Sequence, residues 1–276
     1  GKLLTSEATD PGGLNLLIDP LGGFDDLNAK RLRQCSPTSV TNDPIRALRA
    51  VRLSVQLGLR IEPETLAAVR AGAPLLSRPS PERVRDELFA LFGLARPAVG
   101  LRLLRELGLL EIPMPSIHSL APELWRRTLL RVEALSGLWQ TISPARTEST
   151  AAQFALGMVV MALDRYRAGL QAHLGQTGST GRSQRALLMF AGVMSALSNS
   201  PALNTASALR LSGAETDWFE RVLRAWPVAQ SLRQPAPLDQ HRYWRAGGGA
   251  RGAGGARGLG RTRAGQPGGG GPGGWV

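Results

Sequence analysis

Residues 19–64 read DPLGGFDDLNAKRLRQCSPTSVTNDPIRALRAVRLSVQLGLRIEPE, and the fold is decided in the second half of this stretch. At its centre Asn42-Asp43-Pro44-Ile45-Arg46 is followed by Arg49 and Arg52. Asp before Pro predicts a helix start. An Asp oxygen takes an orphan amide as N-cap, and Pro at the first helical position lacks the amide that would otherwise go unused. The helical period then sets Ile45, Leu48, Val51 and Val55 on one side, toward a core. Arg46, Arg49 and Arg52 recur every third residue on an adjacent side. Such a helix carries a carboxylate at its mouth and a row of guanidinium groups along one flank.

That pairing has a definite chemistry. Cytosine and adenine each present a donating exocyclic amine beside an accepting ring nitrogen, and uracil and guanine present the opposite order. An Asp that only accepts, next to an Arg that only donates, matches C and A and leaves unpaired groups against U and G. Arg49 and Arg52 would then hold phosphates or an RNA 3′ end. The plainer reading stays open from spacing alone: Asp-Pro starts many helices, and surface Arg is usually solvated.

Outward from this helix the punctuation is regular. Asp19-Pro20-Leu21-Gly22-Gly23 predicts a turn whose glycines admit positive φ, with residues 14–18 a short strand before it. Asp25-Asp26 reads as the start of the next element rather than a metal pair. Gly58 closes the central helix, Arg60-Ile61-Glu62 is a brief extended link, and Pro63 opens a helix to about Ala71. Ser80-Pro81 caps another, with Val84, Leu88, Leu91 and Phe92 inside and Glu82, Arg83, Arg85, Asp86 and Glu87 outside. Gly108 stops a leucine-rich helix before Pro113 and Pro115. Further helices are predicted at 123–139, 151–163, 182–197 and 215–226, which makes the chain all-α.

Composition narrows the classes. At 276 residues and 43% apolar, the chain can bury a core of more than one folding unit. No apolar run reaches the roughly 18–20 residues of a membrane span, and no signal-peptide core opens the chain, so a cytoplasmic protein cut from a longer one is expected. The single Cys35 excludes an internal disulfide. The net charge of +12 suggests an anionic partner such as RNA. Six Arg and no acidic residue fall in residues 241–276, however, and Lys2 and Lys30 are the only lysines, the bias of a GC-rich genome.

Four blocks in order, LLIDPLGGFDDL, SPTSVTNDPIRALRAVRLSVQLGLRIEPET, SPERVRDELFALF and GLRLLRELGLLEIPMP, resemble the bacterial class II tRNA nucleotidyltransferases (CCA-adding enzymes) and poly(A) polymerases. The resemblance covers about residues 14–115. It implies that Asp43 and Arg46 read the base of incoming CTP or ATP, and that Arg49 and Arg52 hold phosphate or RNA. Asp19, Gly22 and Gly23 would form the joint to a catalytic head, and Arg83 and Glu87 would brace the nucleotide helix. Asn42 departs from the Glu common at its position. The full family enzyme adds CMP and AMP to a tRNA or RNA 3′ end with Mg²⁺ held by head carboxylates. The head's Gly-Gly and Asp-x-Asp motifs are not among these blocks, so no metal is expected on this chain and no activity from it alone. CCA addition and poly(A) addition share these blocks, and a non-enzymatic RNA-binding helical module is the alternative.

The resemblance also divides the chain: a linker from the head over 1–35, a neck over 36–115, and a helical body over 116–230. Relatives carry an HD metal phosphohydrolase domain at the last position. Here Arg126-Arg127 and Ser195-Ala196 stand where its ligands are expected, which implies a body that kept the packing and lost the metal. His118 and His173 then read as surface residues. Residues 231–276 turn into a Gly/Arg-rich sequence too polar to fold, read as an RNA-binding tail or as an out-of-frame stretch of a GC-rich gene.

Overall fold

The computed structural model describes residues 18–143, 164, 166–178 and 181–231, without the side chains of 228–231. The expected strand at 14–18 (but for Ile18), the helix at 151–163 and residues 232–276 with His241 lie outside the described residues. Among the described residues there are twelve α-helices, a 3-10 turn and two short strands, so the all-α class is what the chain adopts.

The first described residues form a small clamp. Asp19 caps α1 (Gly23–Asn28), accepting the amides of Gly23 and Phe24 at 2.8 Å each. The turn between them needs Gly22 in the left-handed region, at φ 69. Within α1, Asp26 is buried and accepts Arg31 Nε at 2.7 Å and Arg33 Nε at 2.8 Å. Strand β1 (Arg31–Leu32) then pairs in parallel with β2 (Arg60–Ile61), Arg31 opposite Arg60, which ties this clamp to the far end of the central helix.

α2 (Ser39–Asn42) is a single turn that ends on extended Asp43, the conformation that a following proline favours. α3 (Ile45–Leu57) is the central helix. Its buried residues are Ile45, Ala47, Leu48 and Val51. Val55 is only partly buried, since the last turn runs past the packed region and leaves Leu57 exposed. Gly58, at φ 66, turns the chain so that the Leu59 amide reaches the Ser54 carbonyl at 2.9 Å.

α4 (Pro63–Ala71), the 3-10 turn (Ala73–Ser77), α5 (Pro81–Phe92) and α6 (Pro97–Glu106) follow, each helix opening on proline. Beyond α7 (Pro115–His118) come α8 (Pro122–Ile142), α9 (Arg167–Gly175), α10 (Gln184–Met194), α11 (Asn199–Ala208) and α12 (Gly213–Ser231). α10 is buried on nearly every side, from Ala186 to Met194, as a helix apolar all round must be. One core runs from Val40 to Leu223 and passes without a break across residue 115. Its joint is aromatic: Phe89 and Phe92 of α5 meet Phe190 of α10 with ring centres 5.4 and 6.0 Å apart, and Phe190 meets Phe219 of α12 at 5.1 Å.

Candidate nucleotide and RNA interface

The mouth of α3 differs from the expected cap. The helix begins at Ile45, its N-cap residue is Pro44, and no side chain caps it. The Asp43 carboxylate instead accepts Arg83 Nη2 of α5 at 2.8 Å, and Arg46 Nε lies 4.0 Å from the same oxygen. These contacts hold the Asp43 carboxyl below its ordinary range. The Arg83 hydrogen bond is the leading cause, burial opposes it, and the charges of Arg83 and Arg46 and the Ile45 amide add to it. Asp43 is therefore ionised near neutral pH, and Arg46 is half-exposed beside it.

Along the flank the guanidinium row is not simply solvated. Glu87 accepts Arg49 Nε and Arg52 Nε, one on each carboxylate oxygen, at 2.8 Å each. The expectation that Glu87 lies on the exposed side of α5 is corrected: its side chain is only 9% exposed. Position 87 sits one helical turn from Val84 and Leu91, so it falls at the edge of the buried stripe. Only there can it reach both arginines of α3. Arg52 is consumed further by Gln56 Oε1 at 2.9 Å, and its side chain is 18% exposed, against 50% for Arg49. Of the two, Arg49 is the one with surface to offer an RNA phosphate.

Asp43, Arg46, Arg49, Arg52, Arg83 and Glu87 thus come together between α3 and α5. Asp19, Gly22 and Gly23 form the separate turn before α1, where the Phe24 and Gly23 amides keep the Asp19 carboxyl low. Asp25 and Asp26 do not form a metal pair, since Asp26 is spent on Arg31 and Arg33. Among the described residues no three His, Cys, Asp or Glu side chains converge as metal ligands, and this donor set does not fit a two-ion phosphoryl-transfer site. Nor does any helix among them have the length and apolarity to cross a membrane.

In the body, Arg126 and Arg127 both turn to Glu123, whose carboxyl is drawn down to about 2. The residue that reaches Ser195 is Arg131, at 2.8 Å, with the Gly192 carbonyl at 3.1 Å and the Trp226 ring 5.3 Å from its guanidinium. His118 is corrected as well. It is partly buried at the end of α7, and its Nδ1 is enclosed with no hydrogen-bond partner; His173 is partly buried on α9. Cys35 is free and exposed.

The described residues therefore form an all-helical scaffold with a mixed carboxylate–guanidinium edge between α3 and α5. A family profile described as "Probable RNA and SrmB- binding site of polymerase A" matches residues 58–120. An A-adding tRNA nucleotidyltransferase of Deinococcus radiodurans is 42% identical over 107 residues, 37% of this chain and 25% of that protein. A CC-adding tRNA nucleotidyltransferase of Geobacter sulfurreducens is 43% identical over 82 residues, 30% of this chain and 19% of that protein. A solved tRNA-processing enzyme in an apo form superposes with a TM-score of 0.57 at 17% identity, over 83% of this chain and 56% of that one. A CCA-adding enzyme in an apo form gives 0.51 at 16% identity, over 83% and 48%. These superpositions extend the shared fold well past the segment matched in sequence. Over the matched segment the chain is similar to tRNA nucleotidyltransferases, and over most of its length it shares the fold of tRNA-processing enzymes. It matches about a quarter of the length of its curated relatives.

Proposed function

We propose that this chain supplies base selection and RNA binding to an enzyme that adds CMP and AMP, from CTP and ATP, to the 3′ end of tRNA or another RNA. The observation that carries the reading is the ionised Asp43 beside half-exposed Arg46 at the mouth of α3. Asp43 has acceptor capacity left after its one 2.8 Å contact with Arg83. It takes the exocyclic amine of cytosine or adenine while Arg46 donates to the neighbouring ring nitrogen. Glu87 fixes α3 by its two arginines and so fixes where that edge points. No catalytic step is derived from the described residues, because their donor set does not fit the Mg²⁺ pair that the reaction uses. Cytoplasmic tRNA processing is the setting this reading implies.

The test is a chimera in which residues 19–231 replace the matching part of a related nucleotidyltransferase. It should incorporate C and A in preference to U and G. Asp43→Ala should relax that preference by about 1–3 kcal/mol, the cost of one lost pairing contact, and Asp43→Asn, which keeps an oxygen to accept Arg83, should keep the fold with altered choice. Unchanged nucleotide choice in both variants would overturn base reading. A chimera that binds tRNA but incorporates nothing would favour the non-enzymatic RNA-binding module.

A further inference from the structure

A second feature lies where the end of α6, α7 and the start of α8 meet. Arg105, Glu106, His118, Pro122 and Trp125 line an open groove of about 460 Å³, within the roughly 300–1,000 Å³ of small-molecule sites. The Arg105 guanidinium lies over the Trp125 ring, 4.7 Å from its centre. Together they make a planar, polarisable wall.

Three observations set this wall apart from ordinary surface. Arg105 forms no ion pair among the described residues and spends one nitrogen on the Leu120 carbonyl, whereas Arg126 and Arg127 nearby in sequence both hold Glu123. Its positive charge is left to the groove. The His118 imidazole lines the same groove and adds a second planar ring to its wall. Glu106 is exposed at the rim and accepts hydrogen bonds only.

We infer that this groove binds one unpaired nucleobase of an RNA chain, laid against the Trp125–Arg105 stack. Single-stranded RNA is held by bases stacked on aromatic rings and guanidinium planes. A mostly apolar lining with one unpaired cation suits a base with a phosphate beside it. The Glu106 carboxylate disfavours a pocket for phosphate alone and favours a base bearing an exocyclic amine. Arg105, Glu106 and His118 lie within the segment matched by the RNA-binding profile, and Trp125 lies beyond it. The inference rests on the RNA-binding half of the proposed function and is independent of base reading at Asp43.

The experiment titrates the full chain with fluorescently labelled single-stranded 12-mers of A, C and U and with a tRNA acceptor minihelix, at fixed salt. Trp125→Ala should weaken binding of the A and C 12-mers roughly tenfold, as loss of one stacked base does, and Trp125→Phe should restore most of it. Glu106→Gln should narrow the difference between A or C and U. Photocrosslinking of wild-type chain to RNA carrying 8-azidoadenosine should map to the peptides carrying His118 or Trp125, a readout that a merely structural Trp does not give. RNA binding with unchanged affinity in Trp125→Ala, or crosslinks confined elsewhere, overturns this site and leaves the RNA-binding reading intact. No RNA binding by the wild-type chain overturns both. Self-association that changes with Trp125→Ala while RNA affinity does not would make the groove a protein contact and refute the inference.

Discussion

Replacing Glu87 with Ala should be among the most destabilising single changes on this surface. The carboxylate is 9% exposed and takes Arg49 and Arg52 at 2.8 Å each. Breaking a buried charge pair costs about 3–5 kcal/mol, because the surviving charge is left without compensation. Arg49, at 50% exposed, can turn into water, whereas Arg52, at 18%, cannot do so without disturbing α3. The full penalty therefore falls on one arginine, and we expect about 2–4 kcal/mol. For a protein of this size that is a drop of about 5–15 °C in Tm. Urea titrations of wild type, Glu87→Ala, Arg52→Ala and the double variant would give the coupling energy directly. The double variant should be much less damaged than the sum of the two. A loss below about 0.5 kcal/mol in Glu87→Ala, the level of an exposed pair, would refute the brace.

Other consequences can be checked the same way. Gly100→Ala should cost about 1–3 kcal/mol by overpacking, since a Cβ there would sit 2.7 to 3.0 Å from three Leu91 side-chain carbons. Gly169→Ala, inside α9 with open space around it, should instead stabilise by about 0.5–1 kcal/mol; a loss in denaturant midpoint would contradict that. Arg182→Ala removes the 2.7 and 2.8 Å hydrogen bonds that Arg182 gives the Glu215 carboxylate, a side chain 7% exposed that still accepts the Ser212 amide, and should lower stability by about 1–3 kcal/mol in a urea titration. On acidification, Asp19, Asp26 and Asp43 all have folded values below their ordinary ones. Their contribution is fully present above about pH 4 and is lost as pH falls through the depressed values. Denaturant midpoints should then hold steady between about pH 7 and 5 as far as these groups are concerned and fall below about 4, less steeply in Asp43→Asn; an equal slope in that variant would remove Asp43 from the account.

Sequence alone determined the helical class and most element ends in the first half of the chain. Pro63, Pro81, Gly58 and Gly108 act on their own neighbours, through a missing amide or a positive φ, so their effect is readable locally. The same local reading passed over α11, whose residues NSPALNTASA present no broad apolar stripe. It is helical because Ala202, Thr205 and Ala206 are buried against the core. α9 was passed over too, and it buries none of its residues fully. The pairing of Asp43 with Arg46 was visible as a three-residue spacing, and resemblance placed Arg83 and Glu87 near them. Only tertiary structure decided that Arg83 takes the Asp43 carboxylate across 40 residues and that Glu87 is spent on arginines 35 and 38 residues away. It also decided that His118 and Trp125 line one groove. Backbone punctuation is written in adjacent residues, whereas the partner of a charged side chain depends on which helices pack together and how much water their contact excludes.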